Sequence, residues 1–584
     1  MFKILLIILS LLYPAENINL NANANDNINF KNFVPLDPVL SAREIKPGDA
    51  GYMLTVLKGT EPEKIPVEII SVISQKPNKN ISDVILIKML NHELARGMSG
   101  SPVYIKNKLI GAVSSGWDFG DHKLAMVTPI EDMCKIFDDE TRIISGKNLI
   151  SLNSLTLSGI KLNKKLEKFA ENLGTEIING VKNSNESNNL NLNPNPNKNK
   201  KFKPGDSMAA LIVWGDVEIA GAGTVTAISS DDKFIAFGHS ILNRGKINFP
   251  CSSAYVHETV KNISFPFKLA SSGNINGTIL QDRKAGIGGV MNKFPEYVPV
   301  EFNFYNADNE TRENYKFNVA SDEFLIQSSL EGILTGLTEE AWKRKGNGTI
   351  SVILRIENEN IKNGWTRKEI FYSDDNVIDN AFKQSLQIIG AYLTQPFKKS
   401  LPAKFIFNVE ATERPKALII ESVKTVNEAS PGEDIIITIK LRAWRNKPFE
   451  KKFKMHIPED AGGVCEVIVR GGSFHPLSQL AVEQGLKSID GLDRMLNEIK
   501  ALDANNELII ELNADNINNA LKNAKSGNEN ENENITPDFE MLPEENEYLS
   551  ETKLRRIREG NLKIFGTEYF IDGEMKFPIT IRNE

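Results

Sequence analysis

Gly97-Met98-Ser99-Gly100-Ser101-Pro102 is a run of small residues around one serine, closed by a proline. A G-x-S-G-x-P run makes a sharp turn that can hold a serine hydroxyl out of its strand. Its glycines let the backbone approach a reacting carbonyl. Ser99 is the candidate nucleophile, and the N–H groups of Gly97 and Ser99 are the candidate oxyanion donors. The residues that follow read as a hairpin: 103–105, a Lys106-Asn107-Lys108 turn, then 109–113. Ser114-Ser115-Gly116-Trp117 closes that hairpin. It is either an edge that takes an extended peptide or a core strand with a buried tryptophan. Taken alone, the hexapeptide is equally a Gly/Ser turn without chemistry.

Working outward, the flanks are rich in short strands. Segments 52–57, 65–73 and 81–90 alternate or run apolar, separated by Gly/Pro turns. A short helix is expected over 132–137. An Asn/Pro/Lys stretch, 180–203, cannot bury a core and reads as a linker. A second β region follows, with strands over 209–214, 221–227 and 234–237. Residues 320–412 mix helices (322–334, 377–393) with strands (349–356, 405–409). From 413 the alternation resembles an immunoglobulin-like sandwich, with a helix over 476–502. An acidic, Asn-rich linker spans 526–547, and a closing hairpin lies within 548–584. The domain expectation is therefore a serine-bearing β domain (33–179), the linker, a β domain carrying a histidine (204–319), the mixed segment, and the sandwich (413–525) with its tail.

Length and charge bound the function. At 584 residues the chain holds several domains, and a net charge of −7 gives no reason to expect nucleic acid. The three cysteines, Cys134, Cys251 and Cys465, are far apart and form neither a disulfide framework nor a metal motif. No cofactor or metal is expected. Lys3, the apolar run 4–13 and Pro14-Ala15 have the length of a signal peptide rather than of a bilayer span. Residues 16–32 read as a disordered leader. An exported protein, periplasmic or extracellular in a bacterial envelope, with no integral span in the mature chain, is the expectation.

A serine nucleophile needs a base, and histidine is the usual one. His92 and His122 lie in polar loops, and His257, His456 and His475 lack a small-residue setting. His239 follows a hydrophobic strand end and Gly238, so its ring can be presented at a barrel rim. A structural histidine is the competing reading.

These residues carry a family resemblance. Residues 46–130 resemble the catalytic segment of the stage IV sporulation protein B (SpoIVB) peptidases. The matching blocks are GYMLTVLKG (51–59), EKIPVEIISVI (63–73), ILIK (85–88), GMSGSP (97–102) and KLIGAV (108–113). GTVT (223–226) with Phe237-Gly238-His239, then Asp282-Arg283 and 286–289, resemble the family's second block. The resemblance implies a chymotrypsin-like serine endopeptidase with Ser99 as nucleophile and His239 as base. In the family the histidine block comes first; here the order is reversed, so the double barrel is permuted. The family's acid lies just upstream of the serine, where Asn91 stands. Asp83, Asn91 and Asp216 remain open as third member. Asp282-Arg283 reads as an ion pair fixing a turn.

The expected fold is mainly β: a permuted chymotrypsin-like double barrel, a mixed α/β segment and an immunoglobulin-like sandwich. The expected function is an exported serine endopeptidase acting on a protein or peptide. The alternatives are an inactive peptidase-like binding protein, or an envelope scaffold or adhesin that works through the sandwich.

Overall fold

A computed structural model describes residues 33–73, 83–138, 150–151, 154–180, 201–472, 491–514 and 560–582. The expected signal peptide and leader, nearly all of the expected 180–203 linker, the first part of the expected 476–502 helix and the expected acidic linker lie outside the described residues.

The fold is mainly β, and its centre is a pair of closed barrels. The first is built from β1 (Ala50–Thr55), β2 (Glu63–Ile73), β3 (Val84–Met89), β4 (Pro102–Ile105), β5 (Lys108–Gly116) and β6 (Leu124–Pro129). The strand order β4-β1-β2-β3-β6-β5 closes through a β4–β5 pairing. Alternation does the work here. In β2, Ile65, Val67 and Ile69 point inward while Glu68 and Ile70 face out. With Met53, Ile87, Val103, Ile110 and Val127 they fill the barrel. The chain leaves by a short helix, Ile130–Met133, and a 3-10 turn, Ile136–Asp138.

Three short strands lie between the barrels. β7 (Ile150–Ser151) adds to β5, while β8 (Leu155–Ser158) and β9 (Ile177–Asn179) flank the helix Lys164–Asn172. β8 then joins the second barrel along β11.

The second barrel comprises β10 (Ser207–Gly215), β11 (Glu218–Ile228), β12 (Lys233–Ala236), β13 (Gly245–Val260), β14 (Phe267–Arg283) and β15 (Gly286–Met291). The order β10-β13-β14-β15-β12-β11 closes through β10–β11. The two barrels meet on an apolar cluster. Tyr104, Ile130, Met133, Ile136 and Phe137 come from the first, and Ala227, Ile235 and Ala285 from the second.

β16 (Tyr297–Asn306) and β17 (Thr311–Ala320) extend this sheet from β10. β18 (Gly348–Glu357), β19 (Trp365–Ser373) and β20 (Lys404–Thr412) carry it further. The helix Glu323–Trp342 packs on it, N-capped by the Asp322 carboxylate, which accepts from the N–H groups of Phe324 and Leu325. The helices Ile378–Ala381 and Lys383–Thr394 complete the layer.

The sandwich uses β21 (Ala417–Lys424), β22 (Glu428–Ala429), β23 (Asp434–Ala443), β24 (Phe449–His456), β25 (Gly463–Gly471), β26 (Glu507–Ala514), β27 (Leu562–Gly566), β28 (Phe570–Asp572) and β29 (Glu574–Ile581). They form a four-stranded and a five-stranded sheet packed face to face around Ile437, Ile439, Met455, Val467, Ile510 and Ile579. The tail strands β27–β29 are not a separate hairpin; each pairs into one of these sheets. The helix Leu492–Lys500 packs away from the sandwich, on the extended sheet. There Trp365 Nε1 donates to Leu496 O at 2.9 Å and Arg367 Nη1 to Ile499 O at 2.7 Å.

Candidate active site

The serine turn sits at the mouth of the first barrel, between β3 and β4, and packs against the second. Within the turn, Met98 N–H donates to Ala95 O, Gly100 N–H to Val113 O and Ser101 N–H to Met98 O. That leaves the N–H groups of Gly97 and Ser99 without a hydrogen-bond acceptor among the described residues. Two such donors beside a hydroxyl are what an oxyanion site needs.

Thr224 on β11 joins the serine turn to the histidine loop. Its N–H donates to Ser99 O at 2.8 Å and its Oγ1 to Gly97 O at 3.1 Å. Its carbonyl accepts from Phe237 N–H at 3.2 Å, two residues before His239. Thr226 Oγ1 adds a bond to Gly100 O, and Thr128 Oγ1 a bond of 2.6 Å to Gly238 O. The approach is close enough to require glycine. A Cβ on Gly100 would lie 2.0 Å from Thr224 O, and one on Gly238 2.8 Å from Val113 O. Both have positive φ, +89° and +65°. Phe237 also has a positive φ, 67°, so the histidine loop is backbone-strained as well as tightly packed.

His239 follows β12, and its Nδ1 lies 2.8 Å from Ser240 O. A carbonyl accepts only, so Nδ1 carries the proton and Nε2 is left as the free base. Burial lowers its pKa from 6.5 to about 4, against a small opposing pull from the Ser240 carbonyl. Nε2 and Ser99 Oγ are both buried and neither has a hydrogen-bond partner. They are therefore not bonded to each other in this conformation. Ser99 is 0% exposed and His239 7%, so the pair is closed to solvent.

The three open candidates for a third member are elsewhere. Asp216 Oδ2 accepts from Lys316 N–H at 2.7 Å. Asp83 precedes β3 and is half-buried, and Asn91 is exposed in the turn after it. The partner of the imidazole is a backbone carbonyl. Behind it stands a carboxylate that the sequence reading left as half of an ion pair. Asp282 is fully buried, and its oxygens accept from the N–H groups of Ile241 (2.7 Å), Leu242 (2.8 Å) and Arg244 (3.2 Å). It clamps the loop that follows His239. Burial raises its pKa despite those donors. Arg283 directs Nε to Gln281 Oε1.

Two further residues went unread in the sequence. Lys268, on β14, is 2% exposed and lies along Gly97, with Nζ 2.9 Å from Thr55 Oγ1. Burial brings its pKa down to about 7. Arg96, three residues before Ser99, is also buried, and its backbone bridges to the second barrel through Pro266 O and Lys268 N–H. Ser114 Oγ donates to Met126 O, and the Ser115–Gly116 edge is occupied by β7. Trp117 is half-buried rather than a core residue.

Residues 18–117 match the family model described as SpoIVB peptidase S55. The match takes in the serine turn and ends at Trp117, so it supports the SpoIVB peptidase family on the serine-bearing part of the chain; His239 lies outside it. No curated protein and no solved structure matches the chain. Over residues 18–117 the chain is thus similar to a family of serine peptidases.

Proposed function

We propose that the chain is a serine endopeptidase that cuts a protein or peptide through Ser99 and His239. One observation carries this reading. Two buried side-chain atoms with the right chemistry, Ser99 Oγ and His239 Nε2, lack partners on two loops that Thr224 joins. Orphaned buried polar atoms are costly, and a catalytic role is one reason for them to persist.

In the reaction, His239 Nε2 takes the Ser99 hydroxyl proton as Oγ attacks the peptide carbonyl. The negative charge moves to the carbonyl oxygen, which the N–H groups of Gly97 and Ser99 receive. The imidazolium then gives its proton to the leaving amine, and water repeats the sequence on the acyl-enzyme. The Ser240 carbonyl holds the ring in the tautomer this needs. It adds no negative charge of its own, so the imidazolium is less stabilised than beside a carboxylate. Export of the chain rests on its Lys3-led apolar start. No helix among the described residues is long and apolar enough to cross a membrane.

The test is covalent labelling of the purified chain by a fluorophosphonate probe. Ser99→Ala should remove all labelling and leave the fold intact, since Ser99 Oγ bonds to nothing. His239→Ala should slow labelling by about a thousandfold or more. Labelling that persists in Ser99→Ala sinks the assignment. A second reading, a peptidase-like binding protein, is favoured by the neutral partner of the imidazole. It predicts no labelling in any variant.

A further inference from the structure

We propose that Arg96 is the specificity residue of a subsite for an acidic side chain, and that β7 (Ile150–Ser151) and Glu176 together occupy the substrate cleft as an internal mimic of an acidic peptide. The proposal rests on the peptidase reading for its meaning as a substrate site.

The first observation is a strand. Among the described residues β7 pairs only along the edge of β5, antiparallel, with Ser151 opposite Ser115 and Ile150 opposite Gly116. The edge lies at the far end of the hairpin that Ser99 opens. Main-chain bonds to a sheet edge are how an extended peptide is held. The chain places its own backbone there.

The second observation is a charge. The Arg96 side chain is 9% exposed, with its guanidinium carbon 5.7 Å from the centre of the Phe265 ring. A buried guanidinium requires a carboxylate. Asp118 Oδ1 stands 3.7 Å away, too far for a hydrogen bond, and has no hydrogen-bond partner. The carboxylate that does bond to Arg96 Nη1 is Glu176. Its own side chain is 63% exposed. Arg96 Nε is buried and still unpartnered. The cation is therefore fixed and incompletely satisfied, while its anion comes from the surface. An incoming carboxylate can replace Glu176 with one charge-assisted bond exchanged for another, so the exchange costs little.

The two observations converge on one segment. Leu155 N–H donates to Glu176 O at 2.8 Å, which ties the end of this segment to the residues just after β7. One covering piece of chain thus supplies a strand to β5 and a carboxylate to Arg96. Arg96 itself lies on the seam between the barrels, bridged to Phe267. Phe265, beneath the guanidinium, also meets the Cβ position of Gly116. Strand edge and cation therefore share one wall.

The test uses the full chain and two readouts. In a Ser99→Ala background, binding of labelled extended peptides that carry one Glu is compared with binding of the same peptides carrying Gln. Adding Glu176→Gln should tighten the Glu peptides by about tenfold and leave the Gln peptides unchanged, since only the former replace a lost charge-assisted bond. Adding Arg96→Gln should erase the difference between the two sets. In the Ser99 enzyme, Glu176→Gln should speed fluorophosphonate labelling. Equal tightening of both sets, or discrimination that survives Arg96→Gln, overturns the subsite. If Arg96→Gln does not fold, the Glu176→Gln comparison decides alone. Absence of labelling in every variant sinks the peptidase reading, while the peptide-binding arm still decides the subsite.

Discussion

The two barrels reach the same closed six-stranded topology by different means. In the first, β1 to β3 alternate, and the serine turn is tied both within itself, Met98 to Ala95 and Ser101 to Met98, and to β11 through Thr224 and Thr226. In the second, β13 and β14 run for 16 and 17 residues with four register shifts between them. Its reactive group is held from afar, by Asp282 on β14 and by the serine turn itself. The proposed nucleophile thus sits on a turn that its own glycines and β11 shape together, and the proposed base on a loop that more distant elements close around. A serine turn can be read from a hexapeptide; a histidine becomes a base only when distant elements close around it.

The contrast can be broken most severely at the contact between the barrels. Gly100→Ala puts a Cβ 2.4 Å from Phe237 N and 2.0 Å from Thr224 O at a positive φ. It should cost roughly 3–5 kcal/mol in urea unfolding and abolish fluorophosphonate labelling, because nothing there can yield but backbone.

Acid should discriminate next. The folded-state pKa of His239, about 4, lies below its unfolded 6.5. The unfolded chain therefore binds the proton first. Stability is full above about pH 6.5 and is lost as pH falls through 4, by up to about 3 kcal/mol. His239→Gln should flatten that part of the unfolding-versus-pH curve. The acid limb of the labelling rate should sit near pH 4 rather than 6.5.

Lys268 gives the same sign with a different group. Its folded pKa of about 7 lies below 10.5, so the buried amine favours the unfolded chain increasingly as pH falls from 10.5 towards 7. Lys268→Met should raise stability at neutral pH by about 2 kcal/mol, measured by thermal melts at matched pH. A loss instead would mean that the bond to Thr55 Oγ1 outweighs the desolvation.

The smallest change sharpens the comparison. Thr224→Val keeps the shape of β11 and its backbone bonds but removes the hydroxyl from Gly97 O. We expect a loss of about 1 kcal/mol and labelling slowed several-fold.

Much of this was legible in the sequence, for physical reasons that differ along the chain. β1 to β3 show as alternation because one face of each is buried, while β4 and β5 show as apolar runs either side of the Lys106-Asn107-Lys108 turn. Ser99 and His239 are candidates because of neighbouring small residues that permit close approach, and Gly100 and Gly238 are where that approach occurs. The β13–β14 hairpin was not legible. Its bulges break the two-residue period, and FKLASSGNINGTILQDR carries Gly, Ser and Asn that weaken any strand signal. The role of Asp282 was hidden because its partners are backbone N–H groups about 40 positions away, which leave no trace in side-chain pattern. Arg96 and Glu176 are likewise joined only by the fold. The helix Leu492–Lys500 reads as part of the sandwich by proximity in sequence, yet its apolar face finds a better surface on β19.

The clamp at Asp282 also sets a timetable. Ser99 is made early, and its barrel is complete by Pro129. The loop behind His239 gains its Asp282 bonds only when that residue follows, at the end of the 17-residue β14. On the proposed mechanism, a growing chain carries Ser99 through the synthesis of most of the second barrel before His239 can be set against it, and activity is the last property the pair of barrels acquires.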